Sequence, residues 1–134
     1  MPIEKRKFAV KRTSIGLGLF TLEPIPAGKR IIEYKGRIIT REEAEQLGGK
    51  YLFEINENYY IDGRDRSNLG RYLNHSCRPN ANVYVSGKRI WVWSKRAIRA
   101  GEEITFNYGK VFVKEYLASL GLTCKCVKCK PAAL

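Results

Sequence analysis

Short apolar runs dominate the pattern of hydrophobic and polar positions along the chain. They are three to six residues long, rich in β-branched and aromatic side chains, and separated by polar or glycine-containing stretches. Such runs are typical of strands. They predict strands at 7–10, 30–34, 51–55, 59–61, 82–85, 89–94 and 103–106. Ser86 and Gly87 lie between two of these runs and predict a hairpin turn.

Helical signals are few. Thr40 and Glu43 form a capping box, which predicts a short helix that begins after Thr40 and ends near Gly48. Two more short helices are predicted at 67–73 and at 112–120, the second ending at Gly121. The fold class is therefore mostly β with short helices. Because no repeat and no Ser/Gly/Pro linker divides the chain, we expect one globular unit.

Composition limits the class of protein. The chain has 134 residues, of which 44% are hydrophobic, enough for one domain with a real core. No apolar stretch approaches the length of a membrane span, and none follows the basic first twelve residues as a signal peptide requires. We therefore expect an intracellular protein that does not bind membranes. Its oligomeric state is not encoded in any visible pattern.

The chain is strongly basic, with a formal net charge of +12. Such a charge favours an acidic partner or a polyanion such as nucleic acid, but it equally describes a repulsive, well-solvated surface. From charge alone the two interpretations weigh about the same, and contact with nucleic acid through the basic surface stays open.

Candidate chemistry concentrates in two segments. Residues 71–80 read RYLNHSCRPN, an unusual density of polar and special side chains that includes the sole histidine, His75. The local sequence favours a structural role for His75, since a general base needs a positioned partner. Three of the four cysteines, Cys124, Cys126 and Cys129, lie within six residues. In a protein that is not secreted, such clustering favours metal binding over disulfides.

The 71–80 segment closely resembles the RFINHSCxPN motif of the SET domain. Three further SET motifs follow the family order: GLG at 16–18, YKG at 34–36 and EITFNY at 103–108. The CKCVKC segment at 124–129 resembles the cysteine tail called post-SET. The resemblance covers nearly the whole chain and implies the SET fold, a β-clip of small curved sheets around a threaded, pseudoknot-like centre. It implies a SET domain at 1–120 and a post-SET zinc-binding tail at 121–134.

The family is that of protein-lysine N-methyltransferases, so the resemblance implies S-adenosylmethionine as the methyl donor. The positions that match the cofactor-binding residues of the family are Gly16, Leu17, Gly18, Arg71, Asn74 and His75. Glycines let the backbone approach a ligand closely, and an asparagine carbonyl accepts a hydrogen bond from an ammonium group. Many family members carry tryptophan where this chain has Leu17, so we expect weaker stacking there.

The resemblance also assigns the reacting groups. Tyr108 matches the catalytic tyrosine, and the positions that match the lysine channel are Tyr34, Tyr51, Phe53 and Phe106. Without the motif, each aromatic residue would be taken for core packing. Phe106 matches a position where tyrosine favours monomethylation in the family. Phenylalanine there predicts a product with two or more methyl groups.

The cysteines of this chain match a known ligand set as well. In relatives with a post-SET tail, the cysteine of the NHSC motif joins three tail cysteines around one zinc ion. The matching residues are Cys77, Cys124, Cys126 and Cys129. Four thiolates leave no open position on zinc, so the metal would be structural rather than catalytic.

The leading hypothesis is a lysine methyltransferase that acts on a lysine-bearing protein or peptide, with histone tails the commonest case in the family. It would work in the nucleus, in a eukaryote or on host chromatin, and otherwise in the cytoplasm. One alternative is an inactive SET module that binds a peptide or nucleic acid, although Asn74 and Tyr108 are both present. Another is a basic zinc-binding nucleic-acid protein, although the chain lacks two separated CxxC pairs.

Overall fold

The computed structural model describes residues 7–49 and 51–107 of the protein. Strands dominate these residues. The first part of the chain forms β1 (Phe8–Thr13), β2 (Gly16–Thr21), β3 (Arg30–Tyr34), β4 (Arg37–Thr40), helix α1 (Arg41–Leu47), β5 (Leu52–Glu54) and β6 (Tyr59–Asp62). The second part forms a short 3-10 helix (Leu69–Tyr72), β7 (Asn74–His75), β8 (Ala81–Ser86), β9 (Arg89–Ser94) and β10 (Thr105–Phe106).

These strands form four small sheets within the described part of the chain. β1 and β2 pair as an antiparallel hairpin, and two three-stranded antiparallel sheets have the orders β3-β9-β8 and β4-β6-β5. The fourth sheet is the short parallel pair of β7 and β10. The predicted fold class, mostly β with short helices, is confirmed.

Several predicted elements are found where the sequence indicates them. β3 and β9 have the predicted bounds, and β8 and β9 form the predicted hairpin, with Gly87 at a positive φ of 61° in the turn. Helix α1 has the predicted capping box: the Thr40 hydroxyl accepts from Glu43 N, and the Glu43 carboxylate accepts from Thr40 N. The helix ends at Leu47 and has Gly48 as its C-cap, in agreement with the predicted end near Gly48.

Other elements differ from the prediction. The helix predicted at 67–73 is the shorter 3-10 helix Leu69–Tyr72, and the strand predicted at 103–106 is reduced to Thr105–Phe106, with an isolated bridge between Glu103 and Phe20. Strands β2, β4 and β7 were not predicted. β2 contains two glycines, β4 follows β3 after only two residues, and β7 consists of two residues held by pairing with a distant strand. The helix predicted at 112–120 lies outside the described residues.

The core lies between the sheets. The main cluster contains Leu19, Ile32, Val92 and Ile104, which come from β2, β3, β9 and the segment before β10. Ile32 and Val92 alternate with half-buried neighbours along their strands, as expected for strands with one buried face, whereas Leu19 follows the buried Gly18. A second cluster forms around Tyr34, Ile61 and Ile90 and supports the aromatic cavity described below. Among the described residues, no helix is long and apolar enough to cross a membrane.

The loop before β10 contains a carboxylate with a strongly lowered pKa. Glu102 accepts hydrogen bonds from Arg96 Nη2 at 2.8 Å and from Arg99 N at 2.9 Å. The bond from the Arg96 side chain, followed by the bond from the Arg99 backbone, lowers the pKa of Glu102 to about 2. The carboxylate therefore stabilises the folded protein only while it is ionised.

We expect Glu102→Gln to reduce the free energy of unfolding at neutral pH by about 1 kcal/mol, because the pair is partly exposed and screened by solvent. Since the folded pKa is depressed, this contribution is full above the unfolded pKa of about 4.3 and is lost as the pH falls toward 2. Urea unfolding of both proteins between these limits measures it. A difference between the two proteins that does not change with pH would contradict the assignment.

Candidate active site

The centre of the site is the parallel contact between β7 and β10. Asn74 is paired with Thr105 and His75 with Phe106, and Ser76 N donates to the Phe106 carbonyl at 3.0 Å. The motif at 71–80 and the described part of the motif at 103–108 therefore lie side by side, as the resemblance implied. This pairing joins two segments about 30 residues apart in the chain, so that side chains from both reach one region.

Asn80 fixes the second segment in place. Its side chain is 2% exposed; its Nδ2 donates to the Glu103 carbonyl at 2.7 Å, and its Oδ1 accepts from Thr105 N at 2.9 Å. The side chain thus binds the backbone on both sides of Ile104, which is fully buried. In the sequence, Asn80 is the last residue of a motif, and no local signal predicts this positioning role.

The glycine-rich hairpin lies against the crossing. Gly16 has a positive φ of 116°, a backbone conformation that other residues rarely adopt, at the turn between β1 and β2. Gly18 is buried, and a Cβ there would lie 3.0 Å from both the Glu103 carboxyl carbon and the Thr13 methyl carbon. A side chain at position 18 would therefore displace the Glu103 carboxylate, so Gly18 allows the hairpin to pack closely against Glu103.

Asn74 connects this hairpin to the crossing. Its Nδ2 donates to the Leu17 carbonyl at 3.0 Å and to Glu103 Oε2 at 2.8 Å. Both amide hydrogens are therefore used inside the protein, and the side-chain oxygen is the atom that the amide offers to a ligand. The structure thus brings together Gly16, Leu17, Gly18 and Asn74, and adds Glu103, which sequence reasoning did not assign to the site.

His75 follows Asn74 and is half-buried. Burial lowers the pKa of its imidazole, so the ring is neutral at neutral pH. Its Nε2 lies 3.2 Å from Cys77 Sγ. The two residues, predicted for the cofactor and for zinc respectively, are therefore neighbours.

An aromatic cavity of about 810 Å³ opens beside the crossing. All four residues predicted for the lysine channel line it: Tyr34, Tyr51, Phe53 and Phe106. The Tyr34 and Phe53 ring centroids are 5.3 Å apart, those of Phe53 and Phe106 are 6.0 Å apart, and the Tyr34 hydroxyl donates to the Tyr51 carbonyl at 2.8 Å. These side chains come from the end of β3, the β5 region and β10, so only the folded chain brings them together.

Arg71 lies with this aromatic group. It lines the cavity, and its guanidinium carbon is 4.6 Å from the centroid of Tyr51 and 5.1 Å from that of Tyr72. Burial alone would lower the pKa of Arg71, but the hydrogen bond to Tyr72 and the electrostatic interaction with Tyr51 outweigh it and raise the pKa. Within 7–49 and 51–107 its buried Nε has no hydrogen-bond partner. The structure therefore places a permanent cation in the aromatic cavity, whereas the sequence motif suggested a place beside the cofactor.

Comparison with known proteins agrees with this arrangement. The family model described as the SET domain matches residues 16–109. The chain belongs to the SET-domain family. The match begins at Gly16, which is also the first residue of β2.

The SET domain of this chain has many relatives among curated proteins. It is 41% identical over 104 residues to the histone-lysine N-methyltransferase SETD1 of Drosophila melanogaster. It is 36% and 35% identical to proteins of Mycosarcoma maydis and Debaryomyces hansenii, each named histone-lysine N-methyltransferase, H3 lysine-4 specific. The matches cover 68%, 68% and 91% of this chain but only 6%, 7% and 12% of the respective relatives. The chain thus spans a small part of the length of these proteins.

A buried asparagine supports the cavity of this SET domain from behind. Asn68 is 1% exposed; its Oδ1 accepts from Lys35 N at 2.9 Å and from Gly70 N at 3.1 Å, and its Nδ2 donates to the Gly63 carbonyl at 2.9 Å. The two glycines lie close to the Tyr34 ring: a Cβ on Gly63 would be 2.6 Å from Tyr34 Cζ, and one on Gly70 would be 2.7 Å from Tyr34 Cδ2. Asn68 therefore positions Tyr34, and sequence reasoning missed it.

The predicted zinc site and the predicted catalytic tyrosine are only partly within the described structure. Cys77 is half-buried beside His75, whereas Tyr108, Cys124, Cys126 and Cys129 lie outside the described residues. In the ranges 7–49 and 51–107, no group of three or more His, Cys, Asp or Glu side chains is placed to hold a metal ion. The four-cysteine site therefore stays a prediction, as does the boundary between the domain and the tail at residue 120.

Proposed function

We propose that the protein is an S-adenosylmethionine-dependent protein-lysine N-methyltransferase. The observation that supports this most directly is the aromatic cavity, lined by Tyr34, Tyr51, Phe53 and Phe106, immediately beside the β7–β10 crossing. An extended lysine side chain has an apolar four-carbon stem, which packs favourably against such rings. The cavity can hold that stem, and its position beside the cofactor motif would bring the lysine amine close to the methyl donor.

The cavity also favours the reactive form of lysine. Methyl transfer requires a neutral amine, whereas a free lysine has a pKa of about 10.4. Burial among aromatic rings removes water from the ammonium and disfavours its charge. The Arg71 cation, which lines the same cavity, adds repulsion of a second cation. Both effects favour loss of the proton before transfer.

The second substrate would be held by the hairpin and the crossing. S-adenosylmethionine supplies an electrophilic methyl group on a sulfonium. The side-chain oxygen of Asn74 would accept a hydrogen bond from its ammonium, because both Asn74 amide hydrogens are already used by Leu17 and Glu103. The exposed backbone of Gly16 and Leu17 and the His75 backbone would contact the rest of the molecule. The donor set fits an amino-acid-bearing ligand, and Tyr108 would orient the amine.

A histone tail is the substrate that we propose. The relatives named above are histone-lysine N-methyltransferases, and two carry the description H3 lysine-4 specific. An enzyme with this substrate would act at chromatin, hence in the nucleus of a eukaryotic cell. The net charge of +12 does not favour long-range attraction of a basic tail, so recognition would depend on contacts at short range.

A methyl-transfer assay tests this proposal. The full chain is incubated with radiolabelled S-adenosylmethionine and an H3 tail peptide, a peptide with its lysines replaced by arginine, and whole nucleosomes. We expect label on the lysine peptide or on nucleosomal H3 and none on the arginine peptide. Absence of transfer to every lysine-bearing substrate, including an array of unrelated peptides, by protein that is folded would refute the proposed activity.

The number of methyl groups is expected to depend on Phe106. Its ring lies in the cavity and lacks a hydroxyl, so a methylated amine has room to turn and accept another methyl group. We expect dimethyl-lysine or trimethyl-lysine from the natural protein and mainly monomethyl-lysine from Phe106→Tyr. One hydrogen bond from the new hydroxyl is worth about 1 kcal/mol, enough for roughly a fivefold change in product ratio. Mass spectrometry at long reaction times measures this, and exclusive monomethylation by the natural protein would contradict it.

We further propose one structural zinc ion bound by Cys77, Cys124, Cys126 and Cys129. Four thiolates complete the coordination of zinc, so the ion would order the tail and take no part in the reaction. Metal analysis of the purified chain is expected to give one zinc per chain, and Cys126→Ser is expected to lose zinc and activity while the strands, seen by circular dichroism, persist. Cys126→Ser protein that keeps full zinc content would contradict this ligand set.

A further inference from the structure

The sheet β3-β9-β8 has two very different faces. Along β9, Ile90, Val92 and Ser94 are buried and point into the core. The intervening residues belong to the opposite face, which we call the outer face. This face carries Arg30, Glu33, Tyr84, Arg89, Trp91 and Trp93.

The outer face is rich in aromatic rings, of which Tyr84 is exposed and Trp91 and Trp93 are half-buried. Trp91 and Trp93 are the only two tryptophans of the chain, and both lie on β9. Trp91 is paired with Tyr84 of the neighbouring strand β8, and Tyr84 is 55% exposed. The Arg30 guanidinium lies 4.3 Å from the centroid of Trp91. Three aromatic side chains and a stacked arginine thus share one surface, and none of the three rings belongs to the two core clusters described above.

The same face is positively charged. Arg30 and Arg89 are exposed on it, and Lys29, Lys88 and Lys95 flank the strands that form it. The one acidic residue among the six named above is Glu33, whose Oε2 is 3.9 Å from Arg89 Nε. On the face itself two arginines stand against one carboxylate, and Lys29 and Lys95 flank its strands, so positive charge is in excess around the aromatic rings. The Lys88 Nζ lies 4.9 Å from the centroid of Tyr59, on β6.

We propose that this outer face binds single-stranded nucleic acid. Aromatic rings on an open sheet provide stacking platforms for unstacked bases, and arginines and lysines around them contact the phosphates. A duplex presents its bases only at groove edges and cannot offer their faces to tryptophan. An acidic protein segment would satisfy the cations but leaves the three aromatic side chains of this face unexplained. The combination of rings and cations therefore favours a single strand.

This inference is independent of the proposed methyl transfer. The outer face is formed by β3, β8 and β9, and neither tryptophan lines the aromatic cavity. Tyr84 does line the cavity, so it is left unchanged in the test. A protein without methyltransferase activity would still bind a single strand here, and an active enzyme that fails to bind one would refute only this inference.

The two tryptophans make the test specific to this surface. An oligothymidylate of about 12 nucleotides, within the length that small single-strand-binding domains occupy, is titrated into the full chain while tryptophan fluorescence is recorded. We expect quenching of the fluorescence with saturable binding. If about four phosphates are contacted, affinity should fall roughly fiftyfold between 50 and 200 mM salt.

Three variants locate the site, with binding measured by anisotropy of labelled oligothymidylate. Trp91→Ala is expected to weaken binding at least about fivefold through lost stacking. Arg30→Gln with Arg89→Gln is expected to weaken it by at least about tenfold and to reduce the salt dependence. Arg41→Gln with Arg66→Gln removes the same charge from exposed residues on other elements and is expected to change binding less than about twofold.

Several outcomes would overturn the inference. One is binding of the oligonucleotide without quenching, and another is equal weakening in both arginine pairs, since each indicates contact elsewhere on a basic protein. Tighter binding of a duplex of the same length, or of a polyglutamate peptide, would also overturn it. If Trp91→Ala does not fold, the wild-type quenching and the two arginine pairs still decide the result.

Discussion

Replacement of Asn68 by alanine is expected to lower the free energy of unfolding by about 3 kcal/mol, the largest stability effect that the described structure predicts for a polar side chain. The Asn68 amide makes three hydrogen bonds in a fully buried position. Alanine would leave Lys35 N, Gly70 N and the Gly63 carbonyl without these partners, and each buried unsatisfied group costs roughly 1–3 kcal/mol, partly relieved by relaxation. Chemical unfolding followed by circular dichroism measures the loss.

Asn56 offers a matched control. Its Oδ1 also accepts two backbone hydrogen bonds, from Asn58 N at 2.8 Å and Tyr59 N at 3.0 Å, but in an exposed turn. Water replaces these partners, so Asn56→Ala is expected to cost less than about 1 kcal/mol. Equal losses in the two variants would show that the buried network does not have the role assigned to it.

Asn68→Ala also tests the link between the core and the site. Asn68 holds the glycines that pack on Tyr34 and caps the 3-10 helix that carries Arg71. If Asn68→Ala protein is studied well below its unfolding temperature, we expect weaker methyl transfer through misplacement of the cavity wall. Binding of nucleic acid to the outer face should then be little changed, because Arg30, Arg89 and Trp91 do not line the cavity.

The parts of the fold that depend on local signals were predictable. Thr40 and Glu43 contain the complete capping information for α1, and residues 89–94 have the composition of a strand. Strand β7 contains no such signal, because two residues acquire strand geometry only by pairing with Thr105 and Phe106. Non-local pairing of this kind is invisible to a pattern read along the chain.

The residues of the site also fall into two groups, those that the sequence predicts and those that only the structure reveals. Motif resemblance identified Tyr34, Tyr51, Phe53 and Phe106 as one group, and the structure does place them around one cavity. It did not identify Asn68, Asn80 or Glu103 as positioning residues, because their roles depend on which distant backbone groups they meet. A signal for Asn68 does exist: an asparagine before a short Leu-Gly turn is a favourable N-cap. No local sequence signal predicts the hydrogen bonds of Asn68 with Lys35 N and with the Gly63 carbonyl.

The largest effect on turnover is expected from Tyr108→Phe. Tyr108 lies two residues after Phe106, whose side chain lines the cavity and whose backbone is paired with His75 beside the cofactor motif. A hydroxyl supplied at this point of the chain would orient the amine toward the methyl group. Its removal is expected to reduce kcat at least tenfold, equivalent to about 1.4 kcal/mol of barrier, because alignment contributes to the transition state more than to binding.

The loss of turnover in Tyr108→Phe must be distinguished from misfolding and from loss of S-adenosylmethionine binding. Binding of S-adenosylmethionine, measured by calorimetry, is expected to stay within about twofold of the natural protein, since the proposed cofactor contacts are made by Asn74 and the hairpin. Tyr59→Phe serves as the control, because Tyr59 is a half-buried tyrosine on β6 that does not line the cavity. If both variants turn over at nearly the natural rate, Tyr108 has no part in the reaction. If Tyr108→Phe instead raises KM with kcat unchanged, its hydroxyl contributes to binding of the substrate and not to alignment in the transition state.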